Sequence, residues 1–337
     1  MKAGMEVPGG HNYLKPLLFP FHNYYPLKLF SKFRWWKNNS LNKKLHLLNS
    51  RGKWLTVINR LGARGDTLIT GNVIRCIKQK YPNIKINCIT PYAELLENDP
   101  IIDSVNKPET FYSFDSSYFE LIVRNEKNIN VVSHNLKRLG IESFEYKSRF
   151  YLSKQEIIWS KDKVRSCTKP VIAISSRSKE EIKNWPLKNW MELVSSIYNT
   201  YDIIHLGDKH EPKFDNVTRF AGMCSMRESA ALLSQCQLFI GPDSLLMHMA
   251  NGLDIKSIII FGKARPVNCL GYPDNINVSL PSTDDSPSWL RVEDTDQIDD
   301  SMEQITVNSI IQHIDKAFNQ ESIHSKPHHP QAQELEL

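Results

Sequence analysis

The sequence predicts an α/β protein with two parallel sheets, each covered by helices on both faces. Strand-like apolar runs alternate with stretches of helical period twice along the chain, over residues 54–139 and again over 170–318. The length of 337 residues fits about two domains. Polar residues follow the ends of several predicted strands, and in such folds that edge of the sheet forms the ligand cleft.

The first unit opens on the apolar run 54–59, which is typical of a buried strand. A Gly-containing turn leads into a helix over 67–80, where apolar residues recur at helical spacing, and Pro82 marks the next turn. The pattern continues with a strand at 84–89, a short helix at 92–98, a strand at 120–123 and a helix at 130–139.

The second unit repeats this alternation after residue 169. Pro186 stands in the first turn of its first helix, where a missing backbone N–H is tolerated. The predicted strands cover 170–175, 201–206, 238–241 and 257–262, and the predicted helices cover 186–198, 226–235, 245–252 and 307–318. The strand at 257–262 is the last one that the pattern shows clearly.

These patterns divide the chain into five predicted segments. They are a basic, aromatic N-terminal extension (1–50), a first domain (51–150), a connection (151–168), a second domain (169–318) and a tail (319–337). The tail is polar and rich in His and Pro, a composition that predicts disorder.

The extension is strongly basic. From Val7 to Gly65 the sequence has no acidic residue but eleven Lys and Arg, and nine aromatic residues lie between Tyr13 and Trp36. Cations interleaved with aromatic rings suit peripheral contact with an anionic membrane. Packing of the rings on the parent domain explains the composition equally well, so both interpretations stay open. Nucleic acid fits less well, and we do not expect it as a partner.

Composition favours a cytoplasmic protein. No apolar run reaches the ~18 residues of a membrane-spanning helix, and no secretory signal is evident. The six cysteines are scattered without a C-x-x-C pair, which is typical of reduced core residues. We expect neither a metal site nor a bound cofactor.

The turn after the first strand is the most informative stretch. Gly62 and Gly65 precede Asp66, and a helix follows at once. An acid at this position faces the cleft, beside backbone N–H groups that can hold an anion. A purely structural role for Asp66 as a helix cap is the alternative.

Polar side chains also follow each strand of the second unit. Since the ends of parallel strands meet at one edge, we expect these residues to line one cleft. They are Arg177, Lys183, Asp208, Glu211, Asp243, Ser244 and His248. Singly, most of them have an ordinary structural explanation, but together they favour a site for a nucleoside diphosphate.

Each group suits one part of such a ligand. The helix that opens after Asp243 and Ser244 offers free backbone N–H groups to a phosphate. Lys183 or Arg177 would neutralise a second phosphate oxygen. Asp208 or Glu211 would accept hydrogen bonds from ribose hydroxyls.

Three ordered motifs resemble glycosyltransferase family 9, whose best-known members are the ADP-heptose:lipopolysaccharide heptosyltransferases. The first runs from Arg60 through Asp66 to Pro82, and the second is Lys183-Asn-Trp-Pro186. The third extends from Phe220 through Asp243-Ser244 to Gly262, so the resemblance covers residues 54–318 in the family's order.

The resemblance implies a GT-B fold, in which two Rossmann-like domains face each other across the active site. It implies inverting, metal-independent transfer from a nucleotide sugar such as ADP-heptose. The acceptor would be a lipopolysaccharide core or another lipid-linked saccharide at the inner face of the cytoplasmic membrane. Asp66 matches the general base, Lys183 and the helix at Asp243–Ser244 match the diphosphate site, and Glu211 or Asp208 matches the ribose site.

The chain departs from the family pattern at two places. Leu245 stands where the family has a glycine after Asp-Ser, and Lys263-Ala-Arg-Pro266 replaces a common Pro-Thr-Asp-Pro. Glycine lets the backbone approach a phosphate closely, so Leu245 motivates a second hypothesis, a non-catalytic nucleotide-sugar-binding protein. A dinucleotide-dependent oxidoreductase is disfavoured because no Gly-x-Gly-x-x-Gly follows a strand.

Overall fold

The computed structural model describes residues 41, 43–262, 266–280, 289 and 301–319. The predictions for most of the extension (1–40 and 42) and for the tail (320–337) lie outside this range. The chain is helical over 43–50 (α1). Within the described range, no helix combines the length and the apolarity that a membrane crossing needs.

The first unit contains a four-stranded parallel sheet of order β3-β2-β1-β4. Its strands are β1 (Trp54–Ile58), β2 (Lys85–Ile89), β3 (Ser104–Val105) and β4 (Ser113–Asp115), and its helices are α2 (Arg64–Lys80), α3 (Phe119–Val123) and α4 (Val131–Lys137). A 3-10 helix covers Ala93–Leu96. The helix α5 (Lys154–Lys163) then leads to the second unit.

The second unit contains a six-stranded parallel sheet of order β10-β9-β8-β5-β6-β7. Its strands are β5 (Val171–Ile174), β6 (Asp202–His205), β7 (Thr218–Arg219), β8 (Leu238–Pro242), β9 (Lys256–Phe261) and β10 (Ile276–Ser279). Its helices are α6 (Leu187–Ile197), α7 (Met226–Leu233), α8 (Leu245–Gly252), α9 (Val267–Leu270) and α10 (Val307–Asn319), and a 3-10 helix covers Glu181–Lys183.

Several predicted elements differ from the structure. Residues 120–123 are helical rather than extended, and the strand of that region is β4, which begins seven residues earlier. A short apolar run fits either period, so pattern alone does not separate the two. The helix α5 lies in the predicted connection, where Ser153 and Glu156 form a capping box. The strand β10 follows the one predicted as the last.

The two units share a hydrophobic core. One cluster of buried residues includes Val57 and Ile74 of the first unit together with Met247 and Phe261 of the second. A second cluster, which includes Trp190, lies between α6, α10 and the other face of the large sheet. Because the first cluster spans both units, it fixes the spacing of the cleft between them.

The segment 145–150 is held between α2 and α8. The Asn72 side chain of α2 donates to the carbonyl oxygens of Glu145 and Lys147. On the other side, the Ser148 backbone N–H donates to Asn251 Oδ1 over 2.8 Å, and the next contact is from Phe150 N to Gly252 O. Backbone and side-chain hydrogen bonds therefore join the two units through this segment.

Arg227 of α7 adds a second link. Its guanidinium pairs with Glu156 of α5 at 2.6 Å and donates to the carbonyl oxygens of Glu94 and Tyr151. It also lies 5.2 Å from the ring centre of Phe150. One largely buried cation thus ties the second unit to the first unit and to α5.

Replacing Arg227 with Ala is expected to lower the free energy of unfolding by roughly 3–5 kcal/mol, because Glu156 loses the partner that compensates its burial. The matched control is Arg165→Ala, since this exposed guanidinium pairs with Asp162 three residues away. The control should cost less than about 1 kcal/mol. Urea denaturation measures both, and equal losses would contradict the role given to Arg227.

Candidate active site

Asp66 lies in the first turn of α2, just beyond the carboxyl end of β1. Gly62 adopts a φ of +71° in the preceding turn and donates its N–H to Asn59 Oδ1. Asp66 Oδ2 accepts the Ala63 backbone N–H at 3.3 Å. Asp66 is therefore not the N-cap of α2, which is Ala63, but its carboxylate does cap the Ala63 N–H and uses only one oxygen to do so.

The other oxygen of Asp66 binds a tyrosine. Tyr118 follows β4 in the chain, and its hydroxyl donates to Asp66 Oδ1 over 2.7 Å. Asp66 is 9% exposed. Burial raises the pKa of Asp66 to about 6, although the hydrogen bonds from Tyr118 and Ala63 and the charge of Lys183 oppose that rise. A carboxyl with this pKa exchanges protons near neutral pH, as a general base must.

Lys183 faces Asp66 from the second unit. It ends the 3-10 helix that follows β5, and its Nζ lies 3.0 Å from Asp243 Oδ2 and 3.8 Å from Glu180. Asp243 follows β8 and is buried. The charges of Lys183 and Asp243 both act on Asp66, so the cleft assembles two acids and one lysine from opposite units.

Ser244 is the N-cap residue of α8 and directly precedes Leu245. It has extended backbone geometry there, yet its side chain does not cap the helix. Its buried hydroxyl oxygen has no hydrogen-bond partner among the described residues. The helix N-terminus and this hydroxyl together offer several donors to an anion. Leu245, the next residue, lies partly buried against the core.

His248, one turn further along α8, is a neutral imidazole. Its Nδ1 lies 2.8 Å from the Tyr272 hydroxyl, and Tyr272 stacks on Tyr146 with ring centres 4.4 Å apart. Burial lowers the pKa of His248 to about 4; the charge of Asp243 raises it and that of Lys183 lowers it. His248 is therefore uncharged at neutral pH and contributes shape and hydrogen bonding rather than charge.

The His248 ring lies directly against Gly65. A Cβ at Gly65 would stand 2.7 Å from His248 Cδ2 and 2.8 Å from Nε2, which is closer than side-chain atoms approach. The absence of a side chain at Gly65 therefore lets the first turn of α2 touch α8 across the cleft.

Glu211 is buried against the loop that follows β5. Its carboxylate oxygens accept from both hydroxyls of Ser175 and Ser176 and from the Arg177 backbone N–H at 3.1 Å. The ring of His205 lies 3.0 Å away. With its oxygens occupied in this way, Glu211 fixes the loop after β5, and its ribose contact stays a prediction.

Two other predicted donor residues lie at the surface. Arg177 pairs with Glu181 at 3.4 Å, and Asp208 accepts the backbone N–H of His210. Both are exposed. The structure therefore gathers Gly65, Asp66, Lys183, Asp243, Ser244 and His248, but it does not bring Arg177 and Asp208 into that group.

Tyr118, Tyr146 and Tyr272 are site residues that the sequence reasoning missed. The signal for Tyr118 was its position just after a strand, but that strand is β4 and the prediction placed it at 120–123. In the described part of the chain, no three His, Cys, Asp or Glu side chains are grouped as metal ligands would be.

Residues 114–297, more than half of the chain, match the family model described as Glycosyltransferase family 9 (heptosyltransferase). No curated protein matches the chain.

Solved structures resemble the fold at low sequence identity. Heptosyltransferase II of E. coli, an ADP-heptose lipopolysaccharide enzyme, is 13% identical with a TM-score of 0.56, and the match covers 80% of this chain and 99% of that one. A family 9 protein from Veillonella parvula is 13% identical with a TM-score of 0.61 (80% and 97% covered). TibC of E. coli, a dodecameric iron-containing heptosyltransferase solved with ADP-D-β-D-heptose, is 18% identical with a TM-score of 0.60 (79% and 76% covered). These matches confirm the predicted GT-B fold.

Gly65→Ala should destabilise the protein by roughly 1–3 kcal/mol because the new methyl group overlaps the His248 ring. Gly71→Ala is the matched control in the same helix, since its Cβ would lie 3.4 Å from the end of the Leu96 side chain. Alanine favours a helix over glycine by up to ~1 kcal/mol, so the control should be neutral or stabilising. Urea denaturation tests the pair, and equal effects would refute the contact.

Asp66→Asn should stabilise the protein above pH 6. The pKa of Asp66 is raised from 3.8 to about 6 on folding, so its ionisation opposes folding as pH rises through that range. Above both values the loss approaches ~3 kcal/mol, and below both it vanishes. Denaturation at about pH 8 and at about pH 3.5 should therefore show a gain only at the higher pH. Asp208→Asn, at an exposed site, is the control that should show no such gain.

Proposed function

The chain belongs to glycosyltransferase family 9, and we propose that it is an inverting glycosyltransferase that moves a heptose from ADP-heptose, or a similar nucleotide sugar, to a lipid-linked saccharide. The observation that carries this proposal is the placement of buried Asp66, with its pKa of about 6, opposite Lys183 and the N-terminus of α8. A base on one unit thus faces an anion site on the other.

Transfer needs a base on the acceptor side. An acceptor hydroxyl bound next to Asp66 would give its proton to the carboxylate while its oxygen forms a bond to the anomeric carbon. The bond from that carbon to the diphosphate oxygen breaks in the same step, and the electron pair leaves with the nucleoside diphosphate. The base belongs to the first unit, and the second unit would hold the leaving diphosphate. The acceptor oxygen would therefore attack the anomeric carbon from the side opposite the leaving group, and the anomeric configuration would invert.

The leaving diphosphate needs positive charge and hydrogen-bond donors. Lys183 supplies the charge, and Asp243 holds its Nζ in place. The hydroxyl of Ser244 and the first backbone N–H groups of α8 supply donors that are already oriented. These groups can stabilise the departing charge without a metal ion, so we propose metal-independent transfer.

ADP-heptose is proposed as donor because TibC was solved with that molecule. The acceptor class, a lipopolysaccharide core or another lipid-linked surface glycan, follows from the family resemblance. Such an acceptor would place the protein at the inner face of the cytoplasmic membrane.

A second candidate is a nucleotide-sugar-binding protein without catalytic activity. Leu245 favours it, because a side chain stands where close approach to a phosphate is expected. Tight nucleotide binding without turnover on any acceptor, and without any effect of Asp66 replacement on ligand hydrolysis or transfer, would support this candidate.

Asp66→Asn should lower kcat by roughly 10²–10⁴ through loss of the base. Lys183→Ala should lower kcat by ~10²–10³ through loss of leaving-group stabilisation. Asp66→Asn should leave donor affinity nearly unchanged, whereas Lys183→Ala should weaken it. Transfer from ADP-heptose to lipopolysaccharide acceptors measures the rates, with Asp162→Asn, at an exposed position of α5, as control and with parallel assays in the presence and absence of EDTA. Wild-type turnover of Asp66→Asn would refute the base, and inhibition by EDTA would refute metal independence.

Donor binding is measured separately by the shift in melting temperature, since a ligand of the native state stabilises it by mass action. ADP should raise the melting temperature, ADP-heptose should raise it further, and UDP, GDP and NAD should have less effect. A shift only with UDP or GDP would change the donor class, and no shift with any ligand would contradict the proposed donor site.

A further inference from the structure

An exposed surface of the first unit combines aromatic, aliphatic and basic side chains. It lies at the amino ends of β1 and β2 and includes exposed residues from both halves of α1. We call it the aromatic–basic face; its members are Lys43, Lys44, Leu47, Arg51, Lys53, Trp54, Lys85, Phe111 and Tyr112.

Backbone pairing brings the two strand ends of this face together. Trp54 stands opposite Lys85 in the parallel register of β1 and β2, and the Lys85 backbone N–H donates to the Lys53 carbonyl. The Lys85 Nζ lies 5.9 Å from the centre of the Trp54 ring. The Lys85 ammonium group and the Trp54 indole therefore lie side by side on this surface.

The segment before β4 completes the face. The Thr56 backbone N–H donates to the Tyr112 carbonyl, which fixes this segment beside β1. The rings of Phe111 and Tyr112 make an edge contact at 4.9 Å. The Lys44 Nζ of α1 lies 5.6 Å from the centre of the Tyr112 ring, so α1 contributes to the same surface.

The apolar members of the face are open to solvent. Phe111 is 87% exposed, Leu47 is 44% exposed and Trp54 is 38% exposed. Glu109 is the only acidic residue that lies within two sequence positions of any of these nine residues. Large exposed apolar side chains among lysines and arginines with few acidic neighbours in the sequence indicate a binding surface for an anionic, partly apolar partner.

We propose that the aromatic–basic face docks on the surface of an anionic lipid bilayer. Aromatic rings sit at the depth of lipid headgroups, and lysines beside them meet the phosphates. The sequence from Val7 to residue 40, which lies outside the described range, also combines cations and aromatic rings without an acidic residue. This inference rests on the proposed function, because a lipid-linked acceptor requires the enzyme at a membrane.

The docked geometry also bears on the acceptor. The face lies at the amino ends of the strands, whereas Asp66 follows the carboxyl end of β1. Five residues of strand separate the two edges, a distance on the order of 15 Å. The acceptor hydroxyl would therefore stand well above the headgroups, which fits an extended saccharide better than a sugar attached directly to the lipid.

Sedimentation of the full-length protein with lipid vesicles tests the proposal. Wild type should bind vesicles of phosphatidylcholine with phosphatidylglycerol, should lose this binding at high salt, and should not bind phosphatidylcholine alone. The double variant Lys44→Glu/Lys85→Glu should weaken binding by about 30-fold or more. Phe111→Ala should weaken it about 10-fold or more through loss of apolar contact.

Matched controls lie on the second unit. Lys188→Glu reverses an exposed charge of α6, and Met223→Ala removes an apolar side chain that is 73% exposed. Both should bind vesicles as wild type does. Equal binding by wild type and the face variants would overturn the proposal, as would binding to neutral vesicles, self-association through the face, or a preference for nucleic acid.

Failure of the docking surface can be separated from failure of the proposed function. The face variants should keep the melting-temperature shift with ADP-heptose and the transfer rate to a delipidated saccharide acceptor. Normal transfer with unchanged vesicle binding in the variants would refute the docking surface alone. Selective loss of vesicle binding without any donor binding in wild type would support the surface and refute the proposed function.

Discussion

The cleft depends on the close approach of α2 to α8 at Gly65 and His248. With no side chain between them, the first turn of α2 rests on the imidazole, and the shared core behind it holds that spacing. Asp66, the next residue, is consequently buried within the field of Lys183 and Asp243. A wider gap would admit water, lower the pKa of Asp66 toward that of an ordinary carboxyl, and weaken its action as a base.

The pKa of Asp66 results from opposing effects, of which burial is the largest. Burial raises its pKa, while the Tyr118 hydroxyl, the Ala63 N–H and the Lys183 charge stabilise the ionised form. The balance, a pKa of about 6, leaves a carboxylate that is mostly ionised at neutral pH but more basic than an exposed one. The same burial makes the ionised residue unfavourable for stability, a cost in folding free energy that the proposed role of Asp66 as a base would explain.

Sequence patterns predicted the parts of the site that lie on regular elements. The helix α8 was placed at its observed bounds, and Asp66 and Asp243 were placed after the correct strands. Patterns failed where short segments and long-range contacts decide the structure. β4 is an edge strand of only three residues, and its local sequence does not mark it as a strand. Tyr118, which follows β4 and binds Asp66, was therefore not predicted as a site residue. Likewise, local sequence does not reveal that the hydroxyls of Ser175 and Ser176 donate to Glu211, whose predicted ribose contact stays a prediction.

The charges in the cleft constrain how a diphosphate binds. Asp66 and Asp243 are both acids, and Lys183 already pairs with Asp243, so these three side chains of the described cleft would offer a dianionic ligand no surplus positive charge. Its binding must draw on the dipole of α8, the Ser244 hydroxyl and a Lys183 that shifts from carboxylate to phosphate. A nearby dianion would also raise the pKa of Asp66 further. A bound donor would thus make the Asp66 carboxylate, the proposed base, more basic when the acceptor hydroxyl loses its proton.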